Sequence, residues 1–231
     1  MTPRWMRTLA AVLFAVALTA PAVRAADDEK GENDEAERLD KARVVFQEIR
    51  DMKDENIPRP LMERARCVAV FPGMVKGALG WGARVGKGVM SCRDASGQWG
   101  PPIFLSVKGG SFGFQIGVEK ADVVLFFMND KSARSLLDSK FTLGGKAGLA
   151  AGPVGRTAEA STDLKLNAEI YSYARSKGIF AGISLEGARV APDDKATRRF
   201  YGGTVSSRRI LMTHSAPNEP PAARAFVEAL P

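Results

Sequence analysis

The chain has 231 residues and a formal net charge of +7 at pH 7, with 45% hydrophobic and 26% charged residues. This length is enough for one domain with a sizeable core. The sequence contains a single histidine, which excludes a histidine-based metal cage.

The first 25 residues are typical of a secretory signal peptide. Arg4 and Arg7 form a basic n-region, an apolar run follows over residues 9–18, and small residues end at Ala25. The apolar run is too short to span a bilayer. We therefore expect cleavage after Ala25, with Ala22 as a weaker alternative site. The mature chain is expected to be periplasmic or secreted, without a transmembrane segment.

Charge is unevenly distributed along the mature chain. Residues 26–66 carry 13 acidic and 9 basic side chains, whereas residues 67–231 carry 21 basic and 13 acidic ones. The basic excess of the second segment favours anionic partners, such as phospholipid head groups. The signal peptide argues against a nucleic-acid partner, and no nucleic-acid-binding motif is present.

The first predicted elements are helical. A polar leader over residues 26–33 is predicted to be disordered. Asn33 or Asp34 can then cap a helix through about residue 53, because apolar residues recur at helical spacing: Leu39, Ala42, Phe46 and Ile49. This helix either docks on a sheet or lies on a membrane, and its acid-rich polar face favours docking. A short helix from Pro60 to Arg64 follows.

A strand-rich region begins at residue 67. Residues 67–71 are predicted to form a buried strand that ends at Pro72-Gly73. The glycine-rich stretch over residues 75–88 does not match a phosphate-binding loop, because five residues rather than four separate Gly80 from Gly86. A twisted strand pair with glycine bends explains it better. A strand over residues 89–92 and a turn over residues 94–97 follow.

Cys67 and Cys92 are the only cysteines. Each lies in a predicted strand of a chain bound for an oxidising compartment, and no C-x-x-C motif or histidine cluster accompanies them. This pattern favours a structural disulfide over metal or redox chemistry. Two separately buried thiols are the alternative.

Residues 100–118 read GPPIFLSVKGGSFGFQIGV and alternate between apolar and small or polar positions on both sides of Gly109-Gly110. This pattern predicts a β-hairpin closed by a glycine turn. Gly113 and Gly117 leave one face of the second strand nearly bare. We expect a helix to cover that face or a cavity to border it.

The remaining elements follow in order. Residues 121–128 form a continuous apolar run, which predicts a strand buried on both faces. A helix over residues 131–138 is capped by Asn129 or Asp130, and small and apolar residues alternate over residues 141–155. A second hairpin joins residues 168–175 to residues 179–190. Asp193 or Asp194 caps a turn through Tyr201, and a last helix covers residues 222–230.

Four sequence blocks, in this order, resemble the SYLF lipid-binding family: GGSFGFQIG, KADVVLFFMND, KFTLGGKAGLAAGPVGR and LNAEIYSYARSKGIFAGISLEGA. The resemblance runs from about Asp40 to Gly202. In eukaryotes this family includes actin-regulating adaptors of yeast endocytosis, and bacteria have secreted or periplasmic single-domain members. The resemblance therefore implies a lipid-binding domain, with actin and phosphoinositides as ligands of eukaryotic relatives.

These observations predict a β-rich α+β domain. It consists mainly of an antiparallel curved sheet or barrel with short flanking helices. The chain divides into a signal peptide (1–25), an acidic leader (26–38), the SYLF domain (39–205) and a C-terminal tail with a short helix (206–231).

Catalysis is not indicated. No nucleophile or orienting acid that would act with His214 belongs to a recognised motif. Asp163, Glu169 and Glu186 are isolated acids, for which solvation or an ion pair, such as Glu169 with Lys140, is the simpler explanation. A hydrolase is therefore the least favoured function, and neither a cofactor nor a metal is predicted.

Two functions remain. The first is non-enzymatic binding of anionic phospholipid or a membrane surface through residues near the glycine-rich strands: Lys76, Trp81, Arg84, Lys87, Lys108, Lys140, Lys146 and Arg156. The second is a protein-interaction or scaffolding domain, by analogy with actin-binding relatives. For any one of the basic residues, a scattered position on a solvated surface is the alternative.

Overall fold

The structure is a computed structural model. It describes residues 20–52, 57–79, 81–112, 117–137, 141–144, 148–154, 167–177 and 179–231. The helices are α1 (Ala20–Arg50), α2 (Arg59–Arg64), α3 (Asp130–Ser135), α4 (Asp194–Tyr201), α5 (Ser207–Thr213) and α6 (Pro221–Glu228). The strands are β1 (Cys67–Leu79), β2 (Trp81–Cys92), β3 (Ile103–Phe112), β4 (Gly117–Phe127), β5 (Leu149–Ala151), β6 (Ile170–Ser176), β7 (Ile179–Gly182) and β8 (Arg189–Pro192).

All eight strands of the described residues belong to one sheet, in the order β5-β6-β4-β1-β2-β3-β8, with β7 paired to β6. Every pairing is antiparallel except that of β5 with β6. The sheet curls into a half barrel with several short helices around it. The predicted α+β class and curved antiparallel sheet are confirmed.

Helix α1 packs on one face of the sheet, which we call the α1 face. Its apolar stripe is fully buried: Leu39, Ala42, Phe46 and Ile49. The Phe46 ring lies 6.4 Å from that of Phe126 on β4, and the Arg38 guanidinium lies 5.2 Å from the centre of the Phe104 ring on β3. The predicted docking of this helix is confirmed.

Helix α1 begins earlier than the sequence pattern predicts. The segment over residues 26–33, predicted to be a disordered leader, is helical, because α1 runs without interruption from Ala20. No proline lies between Pro21 and Pro58, and half of the segment consists of good helix formers: Ala26, Glu29, Lys30 and Glu32. These residues support a helix even where no apolar stripe is present.

The predicted hairpin about Gly109-Gly110 is wrong. Strand β3 passes straight through these glycines to Phe112 and pairs with β2 and β8, whereas β4 pairs with β1 and β6. A Cβ at Gly109 would lie 3.0 Å from the Cα of Ala188, so this glycine permits close packing inside a strand rather than a turn. Of the two glycines of the predicted bare face, Gly113 lies outside the described residues, whereas Gly117 begins β4 and pairs with Ala78 of β1.

Strand β1 likewise continues past its predicted end at Pro72-Gly73. Its register against β4 is irregular between Phe71 and Met74, which is the mark of a β-bulge. Gly73 takes a φ of 57°, and its N–H donates to Asp122 Oδ1. The bulge tolerates a proline without a ladder donor, so the strand bends instead of ending.

The predicted twisted pair of glycine-rich strands is confirmed as β1 and β2, whose ends meet next to residue 80. At the opposite end of this pair, Cys67 and Cys92 face each other in register and form a disulfide. This disulfide confirms the favoured alternative for the two cysteines. The two ends of this strand pair therefore differ. A disulfide links the strands at one end, and the other end is the one next to residue 80.

The later elements follow the sequence prediction with two differences. The hairpin of β6 and β7 is confirmed, but β7 ends at Gly182, and residues 189–192 form a separate strand against β3. A Cβ at Gly182 would lie 2.1 Å from the carbonyl oxygen of Gly152, so the last residue of β7 has to be a glycine where the backbone after β5 approaches it. The predicted tail contains α5 in addition to the expected last helix.

Candidate functional site

Five of the predicted lipid-binding residues lie on β1, β2 and β3, toward the end of the sheet opposite the disulfide: Lys76, Trp81, Arg84, Lys87 and Lys108. Trp81 begins β2, directly opposite Leu79 of β1. Lys140, Lys146 and Arg156 lie outside the described residues. The structure therefore brings the first group to one region and leaves the remaining three as predictions.

This end of the sheet carries a concentration of positive charge. Within residues 75–87, 108–120 and 176–179, the described residues comprise six cations and one acid, Glu119. We call the six residues the cationic end: Lys76, Arg84, Lys87, Lys108, Lys120 and Lys177. None of them forms an ion pair with another described residue. Their charges are thus available to an external anion.

The strand register divides these cations between the two faces of the sheet. Residues directly opposite each other on neighbouring strands share a face. Lys76 lies opposite Arg84 and also opposite Glu119, whereas Lys108 lies opposite Val85, the next residue of β2. Lys76 and Arg84 therefore lie on the face away from α1. Lys87, Lys108 and Lys120 lie on the α1 face, at the part of the sheet that α1 does not cover.

Exposed apolar side chains accompany the cations. Val118 is 76% exposed, Ile179 is 68% exposed and Val85 is 48% exposed. Val85 and Val118 are on the α1 face by register, and Ile179 begins β7 after the turn at Lys177. Large exposed apolar side chains that occur together are typical of an interaction surface.

Sequence reasoning missed Lys120 and Lys177. Lys120 follows the glycine-rich segment in the KADVV block, and Lys177 lies in the turn between β6 and β7 with a φ of 50°. Neither is near the predicted residues along the chain. Only the pairing of β4 with β1 and with β6 brings them to the same end of the sheet.

A largely apolar pocket opens beside this end, on the face away from α1. Its volume is about 350 Å³. Five residues contribute its polar groups: Lys76, Arg84, Glu119, Ser176 and Ser184. The Ser176 hydroxyl donates to Glu119 Oε1. The apolar part of the lining consists of Met74, Ala121, Ala174, Ile179, Ala181, Ile183 and Leu185.

A second charged cluster is buried and links helices to each other. The carboxylate of Glu35 is fully buried and accepts a hydrogen bond from Arg199 on α4, and it lies 3.5 Å from Arg38. Burial lowers the pKa of the Arg38 guanidinium, while the hydrogen bond with Glu35 raises the pKa of Arg199. Because these groups pair with one another inside the fold, the cluster holds α1 against α4.

The residues considered for catalysis that the structure describes lie apart from one another. His214 caps the C-terminus of α5, and its pocket contains three arginines but no serine: Arg66, Arg93 and Arg134. Glu169 lies 3.9 Å from Lys131, and Glu186 is exposed in a turn. Asp163 and Lys140 lie outside the described residues.

Two further properties of the described residues concern metal binding and membrane spans. Within the described ranges, no group of three or more histidine, cysteine, aspartate or glutamate side chains is placed to hold a metal ion. In the same ranges, every helix is too short or too polar to cross a membrane.

Comparison with known proteins gives a family match. Residues 108–231 match the family model described as "Ysc84: Las17-binding protein actin regulator". The chain is 34% identical over 161 residues to Protein YSC84 of Saccharomyces cerevisiae, covering 68% of this chain and 34% of that protein. It is 33% identical over 172 residues to LAS seventeen-binding protein 3 of the same yeast, covering 73% and 37%.

An animal relative is equally similar. The chain is 33% identical over 180 residues to the SH3 domain-containing YSC84-like protein 1 of Rattus norvegicus, covering 77% of this chain and 53% of that protein. The chain thus spans about a third to a half of the length of the relatives it matches. The family description names Las17 binding and actin regulation, and one yeast relative is named for binding to LAS seventeen. None of these names describes an enzyme.

Proposed function

The chain belongs to the Ysc84 family, as its four motif blocks predicted, and from this premise we propose that it binds anionic phospholipid surfaces without chemical turnover. The cationic end of the sheet is the contact surface in this proposal. Lys140, Lys146 and Arg156 are proposed to add to it. The resemblance to the SYLF lipid-binding family supplies the expectation of a lipid ligand.

One observation carries the proposal: unpaired cations and exposed apolar side chains occur together at a single end of the sheet. Six cations without an ion-pair partner among the described residues are gathered there, next to Val85, Val118 and Ile179. The nearby acids are Glu119 and, in the groove that Lys87 and Lys108 line, Asp193 and Asp194. A leaflet of anionic lipid offers negative charge at its surface and apolar chains just below. The composition of the cationic end is complementary to both layers.

The expected electrostatic free energy of binding is sufficient for reversible attachment to a membrane. Each lysine or arginine close to a negative leaflet contributes about 1 kcal/mol. Three or four simultaneous contacts therefore favour the bound state by about 3 to 4 kcal/mol, or roughly 10²- to 10³-fold. Helix α1 is not the proposed anchor, because its apolar stripe is buried against the sheet.

Vesicle co-sedimentation tests this function. Binding should rise with the fraction of anionic lipid in the vesicles and fall steeply as added salt shortens the Debye length. Equal binding to neutral and anionic vesicles at every salt concentration would show that the electrostatic mechanism is wrong. No binding to either type of vesicle would remove the membrane function altogether.

A protein-interaction function is the second candidate, and the names of the relatives favour it. Relatives are named as binding LAS seventeen or as regulating actin, so an adaptor function for this chain is the corresponding proposal. Charge reversal at the cationic end distinguishes this function from lipid binding. A protein partner should be retained by immobilised chain after charge reversal at Lys87 and Lys108, whereas vesicle binding should then be lost.

We also propose that the chain is exported and acts in the periplasm or outside the cell. The proposal rests on the n-region, the short apolar run and the small residues that end at Ala25. Intact-mass measurement of protein recovered from outside the cytoplasm should give a chain that begins at Ala26. A mass that retains residues 1–25 would contradict the proposed cleavage.

A further inference from the structure

The pocket on the face away from α1 has the chemistry of an acyl-chain site. Its volume is about 350 Å³, within the range of small-molecule pockets but near the lower limit. Two alanines on facing strands, Ala174 and Ala181, lie directly opposite each other in its lining. Their small side chains leave the space that Met74, Ile183 and Leu185 surround. A free phosphate or another small inorganic anion has no apolar part that could contact this lining.

The polar groups of the pocket are placed for an anion. Arg84 and Lys76 lie opposite each other on β2 and β1. The Nη1 atom of Arg84 is buried and has no hydrogen-bond partner among the described residues. Arg84 therefore retains an unused donor, while the neighbouring Glu119 accepts a hydrogen bond from the Ser176 hydroxyl. A carboxylate can accept from an arginine in a charge-assisted hydrogen bond.

We propose that this pocket binds a single-chain anionic amphiphile, namely a long-chain fatty acid. Its carboxylate pairs with Arg84 and Lys76, and its chain extends along Met74, Ala181 and Ile183. The inference rests on the proposed affinity for anionic lipid surfaces, since the pocket opens beside the surface that would meet the membrane. The small volume favours one chain over the two chains of a phospholipid.

Titration calorimetry with saturated fatty acids of increasing length tests the proposal on the wild-type chain, below the concentrations at which they form micelles. Each added methylene should tighten binding about fourfold, which corresponds to about 0.8 kcal/mol, until the pocket is full. The fatty alcohol of equal length should bind at least about tenfold more weakly, because it lacks the charge that Arg84 would pair. Equal binding of acid and alcohol, or no dependence on length, would overturn the proposal.

Substitutions in the pocket test whether the fatty acid binds there. Ala181→Leu fills the pocket and should weaken fatty-acid binding at least about tenfold while leaving vesicle binding unchanged, because residue 181 is not part of the cationic end. Ala174→Leu serves the same purpose if the first variant does not fold. Arg84→Ala should remove the preference for acid over alcohol, and Glu119→Gln should increase it. Unchanged fatty-acid affinity in a folded pocket-filling variant would overturn the proposal.

The same measurements separate this inference from the proposed function. A chain that binds anionic vesicles but not fatty acids leaves the membrane function standing and removes the pocket ligand. A chain that binds neither overturns both. A chain that binds fatty acids but ignores vesicles overturns the membrane function and supports the pocket.

Discussion

Charge reversal at Lys87 and Lys108 is the sharpest perturbation of the proposed membrane contact. Both side chains are exposed, and neither has an ion-pair partner among the described residues, so their loss should not disturb the fold. Each contributes about 1 kcal/mol near an anionic leaflet, and reversal replaces that attraction with a repulsion of similar size. The double variant Lys87→Glu/Lys108→Glu should therefore lose about 4 kcal/mol, close to 10³-fold in vesicle affinity at low salt.

The assay is vesicle titration followed by co-sedimentation, with melting temperature as the check on folding. The matched control is Arg59→Glu/Arg64→Glu, which changes the net charge by the same amount on exposed positions of α2, next to the disulfide end of β1. Because a contact surface is local, the control should bind vesicles much as the wild type does. Equal losses in both double variants would mean that net charge, rather than the cationic end, controls binding, and would refute the reasoning.

Three predictions concern the fold. Replacing Cys67 and Cys92 by serine should cost about 3 kcal/mol of unfolding free energy, because the disulfide spans 25 residues of sequence; unchanged chemical denaturation would contradict this. Gly88→Ala should cost about 1 to 3 kcal/mol of unfolding free energy, because a Cβ there would lie 2.5 Å from a backbone carbonyl oxygen. The control is Gly77→Ala, which should melt like the wild type because nothing lies within 4 Å of the added Cβ. Glu35→Gln should cost about 3 to 5 kcal/mol, because its carboxylate is buried against two arginines; a thermal-denaturation loss below about 1 kcal/mol would contradict the pairing.

Local patterns with a direct chemical cause were predictable from the sequence. The apolar stripe of α1 was predicted from its helical spacing, and its burial followed from the acid-rich opposite face. Asn129 caps α3 and Asp193 caps α4, because their side-chain oxygens accept from the N–H of Ser132 and Ala196. Each of these features depends on residues within a few positions of one another.

Most wrong predictions of turns and strand ends were made at glycines, because a glycine is compatible with several different structures. At Gly109 the absent side chain allows contact with Ala188, and at Gly88 it leaves room for Phe71. A glycine pair inside an alternating pattern is equally typical of a turn and of a tightly packed strand. The distinction depends on residues about 17 to 79 positions away, which the local sequence does not reveal. The continuation of β1 past Pro72-Gly73 has the same origin, because its bulge depends on Asp122.

The candidate site was only partly predictable for a related reason. Lys76, Arg84, Lys87 and Lys108 were identified because they flank glycine-rich strands. Their division between two faces required the register of β1, β2 and β3, and the addition of Lys120 and Lys177 required the strand order. The pocket depends on side chains from β1, β2, β4, β6 and β7 and from residues 183–185, so no contiguous motif encodes it. Helix α5 was missed because its single turn of apolar residues is too short to show periodicity.

Tryptophan quenching by brominated anionic lipid tests the orientation of the chain on a membrane most directly. Trp81 begins β2 at the cationic end, whereas Trp99 pairs with Arg93 beside the disulfide end. Trp5→Phe/Trp99→Phe leaves only Trp81, and Trp5→Phe/Trp81→Phe leaves only Trp99, because the chain has three tryptophans. We expect brominated vesicles to quench the Trp81 protein and to leave the Trp99 protein unchanged. Stronger quenching of Trp99, or equal quenching of both, would contradict a membrane contact through the cationic end.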